Sequence, residues 1–336
     1  MAAGAAYSDV ASAGEIRCHE VPKCLLCGAK GGMLYEGQRD RLFGAPGVWN
    51  FRQCPNYSCG LIWIDPMPVE EDIGRAYGAY YTHQANTPAT SFKKTCLRIW
   101  RKGAVPFLSI VSPLHRERRK LELMYLHDRA PGRVLDVGCG SGERLAKLRD
   151  RGWEVFGQDV DPRAVAQARQ AFQIDVRVGS LDKVGFAPNS FDCVIMNHVI
   201  EHVHDPVRLL KQCKSLLKKG GDLIVVTPNC KSVAHRHFGT DWRGLEPPRH
   251  LFIFSRSALA SVAKRSGLSV VRSWTTAANA FTVTFYSVQL RRDGLSFTAG
   301  HKILRIIYAV AFQYYASMLN AFSRNQGEEI VLHLKN

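Results

Sequence analysis

Val134-Leu135-Asp136-Val137-Gly138-Cys139-Gly140-Ser141-Gly142 ends an apolar run on an acid-containing strand pattern and then sets glycine at three alternate positions. The run reads as a buried parallel strand. The glycines permit a sharp turn and let a ligand lie against bare backbone. Helix-forming residues follow from Arg144, so the turn opens onto a helix N-terminus and the whole unit is a cradle for a nucleotide-type ligand. A dinucleotide fingerprint, G-x-G-x-x-G, would need glycine at 143, where Glu143 stands. The spacing is instead G-x-G-x-G, preceded by Asp136.

Outward from this stretch the chain alternates strand and helix patterns. Strands read at 133–137, 154–159, 174–178, 191–196 and 222–227, and helices at 142–151, 162–172, 205–218 and 256–266. Further strands read at 268–274 and 330–334, and a helix over 115–128 leads in. The expected fold is α/β, a doubly wound, mostly parallel seven-stranded sheet. An insertion at about 277–328 separates the last two strands, and its segment 303–319 is aromatic and nearly all-round apolar. Such a segment suits packing over the site, dimerisation or a membrane surface. Asp159 ends the second strand, where a carboxylate can accept hydrogen bonds from ribose hydroxyls, and Asp161 suits the cap of a helix opening at Pro162.

The chain has 336 residues, a net charge of +16 and a hydrophobic fraction of 46%. That is ample for a packed core, and the charge points to an anionic partner. Residues 1–17 read as a disordered leader without the basic start and apolar core of a signal peptide. Ten cysteines without such a signal point to a reducing, cytoplasmic setting, with thiols or metal ligands rather than disulfides. No run reaches the roughly 20 apolar residues that span a bilayer.

Residues 18–66 read as a small zinc-knuckle module. Cys24 and Cys27, then Cys54 and Cys59, form two pairs, each followed by glycine. Four thiolates in tetrahedral array suit a structural Zn²⁺, with buried free thiols as the bland alternative and Cys18 and His19 as spare ligands. A helical basic linker is expected over 67–129. Within it, 91–120 holds nine Lys/Arg against one acid around an apolar middle. A solvated linker and a peripheral contact at the inner membrane face both fit that pattern.

These motifs together resemble the class I S-adenosylmethionine-dependent methyltransferases over about 130–336. The resemblance is carried by Val134–Gly142, Asp159, Gly179–Asp182, Asn189–Asp192, Ile200–Val203 and Leu216–Gly221 ahead of Thr227-Pro228-Asn229. The cysteine module, ending Cys59-Gly-Leu-Ile-Trp-Ile-Asp-Pro-Met-Pro68, is similar to one preceding such domains in bacterial sugar and surface-polysaccharide methyltransferases. The resemblance implies S-adenosylmethionine as cofactor. Gly138, Gly140 and Gly142 would lie under its methionine part with Asp136 nearby, and Asp159, next to Val160, would bind the ribose. Ser180 and Leu181 would line the adenine, although many relatives carry an acid at 180, and Asn197 would sit at the sulfonium end.

A base assists methyl transfer when the nucleophile is a hydroxyl of high pKa. The candidates are His198, Glu201, His202 and His250. The first three share one face if that segment is helical. Ubiquinone O-methyltransferase-like relatives hold a divalent metal there through acid, acid and histidine, and His198 departs from that set. Arg249-His250 could bind an anionic group and accept a proton, or simply tether the loop. The expected activity is methylation of a small-molecule or glycan acceptor, such as a sugar hydroxyl or a lipid- or nucleotide-linked saccharide. An RNA methyltransferase gripping phosphates through the basic surface is the alternative, and a non-catalytic cofactor-binding scaffold is a third reading.

Overall fold

The computed structural model describes residues 16–78, 113–291 and 299–336. Residues 1–15 of the expected leader and 91–112 of the basic stretch lie outside the described residues. The N-terminal part forms β1 (Cys18–His19), β2 (Gly32–Gln38), β3 (Trp49–Gln53), β4 (Ile62–Ile64) and β5 (Met67–Pro68). Then come α1 (Pro113–Glu122), β6 (Arg133–Val137), α2 (Glu143–Arg149), β7 (Glu154–Asp159), α3 (Pro162–Phe172) and β8 (Asp175–Val178). They are followed by β9 (Phe191–Asn197), α4 (Pro206–Leu216), β10 (Leu217–Pro228), α5 (Val233–Phe238), β11 (Phe252–Ile253) and α6 (Arg256–Arg265). The chain closes with β12 (Ser269–Thr276), α7 (Ala280–Arg291), α8 (Ala299–Ser323) and β13 (Glu329–Lys335).

The main sheet has seven strands in the order β12-β13-β10-β9-β6-β7-β8. The pairs from β10 to β8 are parallel, while β13 runs antiparallel to both neighbours. Val134, Leu135, Val194, Ile195, Val225 and Val226 are fully buried, as strands covered by helices on both faces require. Helix starts are set locally. Asp161 and Asp205 accept from Arg163 N and Arg208 N with proline next in line, and Ser255 accepts from Ala258 N. The strand order reverses between β6 and β9, so the loops after these two strands open the crevice in which such sheets bind ligands.

The leading helix stops at Glu122 rather than running to 128. Met124 and Tyr125 take left-handed backbone angles, φ 49° and 57°. This turns Met124 into full burial and sets Tyr125 edge-on to Trp274 at 4.9 Å. Core packing overrides helix propensity here.

The cysteine-rich part does not have a sheet to itself. Its four-stranded sheet runs β11-β4-β3-β2, and β11 comes from the C-terminal half. One hydrophobic cluster joins Trp49, Phe51 and Trp63 to Phe252, Phe254 and Val225. About fifty residues bury too little apolar surface to be stable alone, which makes this sharing economical. Buried ions reinforce the seam. Arg249, fully buried, donates to Asp40 Oδ2 at 2.9 Å, Glu246 Oε1 at 3.0 Å and the Ala76 carbonyl at 2.8 Å. The reading of Arg249 as an anion-binding group is therefore corrected: its guanidinium ties the two halves together. Removing one partner of a buried ion cluster leaves the others uncompensated. Arg249→Met is expected to lower unfolding free energy by about 3–5 kcal/mol, measured by urea denaturation.

Candidate functional site

The turn after β6 is stitched to the end of β7. Gly138 N and Cys139 N donate to the Gln158 carbonyl at 2.8 and 3.0 Å, and Gly140 N donates to Asp159 Oδ2 at 2.8 Å. The other Asp159 oxygen accepts from Asp161 N at 2.9 Å. These bonds hold the carboxylate at the mouth of the turn. Gly138 has φ +70°, and a Cβ there would come within 2.4 Å of Val199 Cγ2. At Gly140, φ +55°, a Cβ would meet nothing within 4 Å, so this backbone faces open space.

Asp136 lies beneath the turn, fully buried. Its Oδ2 is 3.4 Å from Arg144 Nη1, and its Oδ1 has no partner among the described residues. Burial pushes its carboxyl up to about 6, and burial also raises Asp159. An orphaned buried carboxylate oxygen below bare glycine backbone suits a cationic ligand such as the amino-acid end of S-adenosylmethionine. At the rim, Val160 is 69% exposed beside Asp159, and Leu181 is buried. These are apolar surfaces for a base to lie on. The Ser180 hydroxyl bonds to Asp182. Asn197 ends β9, one residue beyond the Val137–Met196 pair, and so stands across the crevice from Gly138.

His198 follows with φ 55°, outside any helix, ahead of a single 3₁₀ turn at Ile200–His202. The three residues 198, 201 and 202 therefore do not share a helix face. His198 Nδ1 donates to Glu201 Oε1 at 3.0 Å and its Nε2 donates to Glu329 Oε1 at 2.7 Å. Glu201 Oε2 accepts from Thr227 Oγ1 at 2.9 Å, and Asn279 Nδ2 donates to Glu329 Oε1 at 2.8 Å. Burial opposes a charge on His198, yet the two carboxylates outweigh it and hold the imidazole up to about 10. Burial likewise opposes the Glu201 charge, and His198 outweighs it, bringing Glu201 down to about 2. With both ring nitrogens donating, His198 has no lone pair for a proton or a metal. This corrects its reading as a base.

His202 Nδ1 lies 3.0 Å from the Arg249 carbonyl and 3.1 Å from Tyr77 Oη, and His250 Nδ1 donates to the Gly244 carbonyl at 2.8 Å. Burial lowers both imidazoles, so both are neutral at pH 7. Their rings meet edge-on at 4.7 Å. Ligand-type atoms of Glu201, His202 and His250 lie within 4.8 Å of one another. A nitrogen-rich set of this kind suits a transition metal more than magnesium. The cation-capable group is thus 201, 202 and 250 rather than 198, 201 and 202.

Two residues of this network escape a reading of the motifs. Tyr77 arrives from a 3₁₀ helix, Ile73–Tyr77, in the N-terminal part, and nothing local marks it. Glu329 lies 131 residues beyond His198. Its one signal is the acidic pair Glu328-Glu329 at the head of an apolar strand.

The four knuckle cysteines converge. Cys24 Sγ and Cys59 Sγ are 3.7 Å apart, Cys27 Sγ and Cys54 Sγ 3.3 Å, and all four sulfurs lie within 4.8 Å of one another. Sulfurs about 2.3 Å from a tetrahedral zinc stand about 3.8 Å apart, so the set fits such an ion. Gly28 and Gly60 turn at φ 72° and 60° just after each pair.

Among families of known proteins, a methyltransferase domain family matches residues 114–273. A ubiquinone biosynthesis O-methyltransferase of Cereibacter sphaeroides is 31% identical over 183 residues, covering 48% of this chain and 74% of the relative. One from Xanthomonas campestris pv. campestris is 43% identical over 109 residues, covering 30% of this chain and 44% of the relative. Among solved structures, an S-adenosylmethionine-dependent methyltransferase from Mesorhizobium loti superposes with TM-score 0.46 and 17% identity, covering 68% of this chain and all of that one.

The His198 clamp makes stability depend on pH. A histidine raised from 6.5 to about 10 contributes fully below pH 6.5 and loses that contribution as pH rises through about 10. The melting-temperature gap between the native chain and His198→Gln is expected to shrink over this window. Thermal melts at stepped pH would show it, and a gap constant to pH 10 would contradict the clamp.

Proposed function

The chain belongs to the class I S-adenosylmethionine-dependent methyltransferases, and we propose that its acceptor is a hydroxyl on a lipid-type small molecule, a ring carrying an apolar tail. S-adenosylmethionine brings a methyl group already activated on a sulfonium, so the protein's work is mainly orientation and exclusion of water. In this reading Asp159 accepts from the ribose, Val160, Ser180 and Leu181 border the adenine, and Asp136 with Gly138, Gly140 and Gly142 takes the methionine part. Asn197 stands at the sulfonium. Glu201, His202 and His250 keep the acceptor-side loop in place. Asp159→Ala removes two hydrogen bonds to a charged group, roughly 1.5–3 kcal/mol each. Cofactor affinity by calorimetry is expected to fall at least about 100-fold, and unchanged affinity would reject the assignment.

One observation carries the acceptor reading. β12 runs with β10, because each is antiparallel to β13, so the helices after Thr276 rise from the sheet's carboxyl edge. That is the edge holding Asn197 and His198, and Asn279, just before α7, bonds to Glu329 beside His198. The two helices are aromatic and apolar, with Phe281 and Phe285 stacked at 6.1 Å. A covering of this kind favours an apolar acceptor over a bare saccharide. The relatives' name, ubiquinone biosynthesis O-methyltransferase, points the same way.

A peripheral membrane contact accords with this reading. On α8, Ile303, Leu304, Ile307, Tyr314, Met318 and Phe322 are all more than half exposed, and the helix contains no Asp or Glu. No described helix is long and apolar enough to cross a membrane. A basic chain with an apolar stripe is suited to an anionic lipid surface. Labelled S-adenosylmethionine, incubated with lysate fractions from cells lacking the protein, should label the lipid extract. Label confined to the saccharide fraction, or to RNA with strong salt sensitivity, would overturn the reading.

The knuckle cysteines are proposed to hold one structural zinc. Arg265 reaches the Leu25 and Leu26 carbonyls, and Ser255 Oγ bonds the Cys59 carbonyl, so the knuckle leans on the segment carrying His250. Elemental analysis should find about one zinc per chain, lost in Cys24→Ser/Cys27→Ser. A metal-free native chain would remove the assignment.

A further inference from the structure

Glu329 has a carboxylate oxygen, Oε2, without a partner among the described residues, on a side chain only 3% exposed. Its other oxygen receives both His198 Nε2 and Asn279 Nδ2. Leaving one oxygen of a buried carboxyl group unpaired is costly, so an orphan in an otherwise satisfied network points to a group that arrives with a ligand. Its place supports this. Glu329 opens β13 opposite Pro228 of β10 and Thr276 of β12, at the carboxyl edge of the sheet. His198 lies beside it, one residue after Asn197. The helices proposed to cover the acceptor are joined to it through Asn279.

We propose that Glu329 is the catalytic base, its Oε2 accepting the hydrogen bond and then the proton of the acceptor hydroxyl. The inference rests on the hydroxyl-acceptor reading and deepens it. As the acceptor oxygen forms its bond to the methyl carbon, the carbon–sulfur bond breaks and its electron pair returns to sulfur, leaving a neutral thioether. The hydroxyl proton passes to Oε2 and afterwards to water. His198 is a positioning residue: bridging Glu201 and Glu329, it fixes the carboxyl group in place. Asn279 ties the covering helices to the same oxygen that His198 holds. His202 and His250 have Nδ1 on backbone carbonyls and are gathered around Glu201 rather than Glu329.

The test compares two acceptor probes with labelled S-adenosylmethionine and the full chain. Catechol needs its proton removed, whereas 4-nitrocatechol is already largely ionised near neutral pH. Loss of a general base costs about 10²–10⁴-fold. Glu329→Gln should therefore lower kcat/KM for catechol at least about 100-fold, that for 4-nitrocatechol less than about 10-fold, and leave S-adenosylhomocysteine affinity unchanged. Glu329→Asp, which keeps the carboxylate, should recover part of the catechol rate, and it serves if Glu329→Gln does not fold. Equal loss on both probes, or no loss, overturns the inference. If the native chain methylates neither catechol, the ring-acceptor reading fails, and Glu329 is then judged by binding. With S-adenosylhomocysteine present, catechol or methyl glucoside should shift the His198 imidazole resonance in the native chain and not in Glu329→Gln. No shift with either probe overturns it.

Discussion

A carboxylate with no solvent exposure, Glu201, holds the acceptor side together. One oxygen anchors His198 and the other takes the Thr227 hydroxyl of β10. Its backbone carbonyl accepts from Leu251 N at 2.8 Å, which fixes the segment between His250 and β11. A buried charge is tolerable only when its oxygens are satisfied by strong donors. The imidazolium of His198 meets that demand, and in doing so it must also satisfy Glu329. Three strands and a loop are therefore locked by one proton-bearing ring.

The same constraint explains why the cysteine-rich part is woven into the sheet domain rather than appended to it. β11 adds to β4, Arg249 crosses to Asp40, and Tyr77 reaches His202. Each link ends on or next to the Arg249–Leu251 segment, which Glu201 and His202 hold from the other side. A knuckle stabilised by a metal would thus bear on the Arg249–Leu251 segment through these links, and one hydrophobic cluster also joins its cysteines to Leu135, Val137 and Leu181 of the cradle.

Family membership and acceptor chemistry rest on different residues. The cradle is what this chain shares with a large class of methyltransferases. On the proposed acceptor side, His250 joins Glu201 and His202 in the cation-capable trio, and two aromatic helices rise from the same edge. The base proposed there comes from β13, the strand that runs against the rest of the sheet. Because β13 is antiparallel, its first residue, rather than its last, lies at the carboxyl edge.

Much of the cradle was legible in the residues alone. Glycine spacing, Asp136 and Asp159 act within one strand-turn-helix unit and its neighbour, and local backbone requirements leave a local trace. The four cysteines were legible for the same reason, since thiols paired at short spacing with a trailing glycine encode their own turn. The doubly wound, mostly parallel sheet was legible from strand and helix alternation, while the order of its strands came from the tertiary structure. By contrast, the early end of α1 at Glu122, the clamp on His198 and the roles of Tyr77, Arg249 and Glu329 depend on contacts across 47 to 209 residues, set by sheet register and core packing. A motif lists which groups are present. Which nitrogen donates, which oxygen is left bare and which charge is already neutralised are fixed only when distant strands bring their partners to one edge.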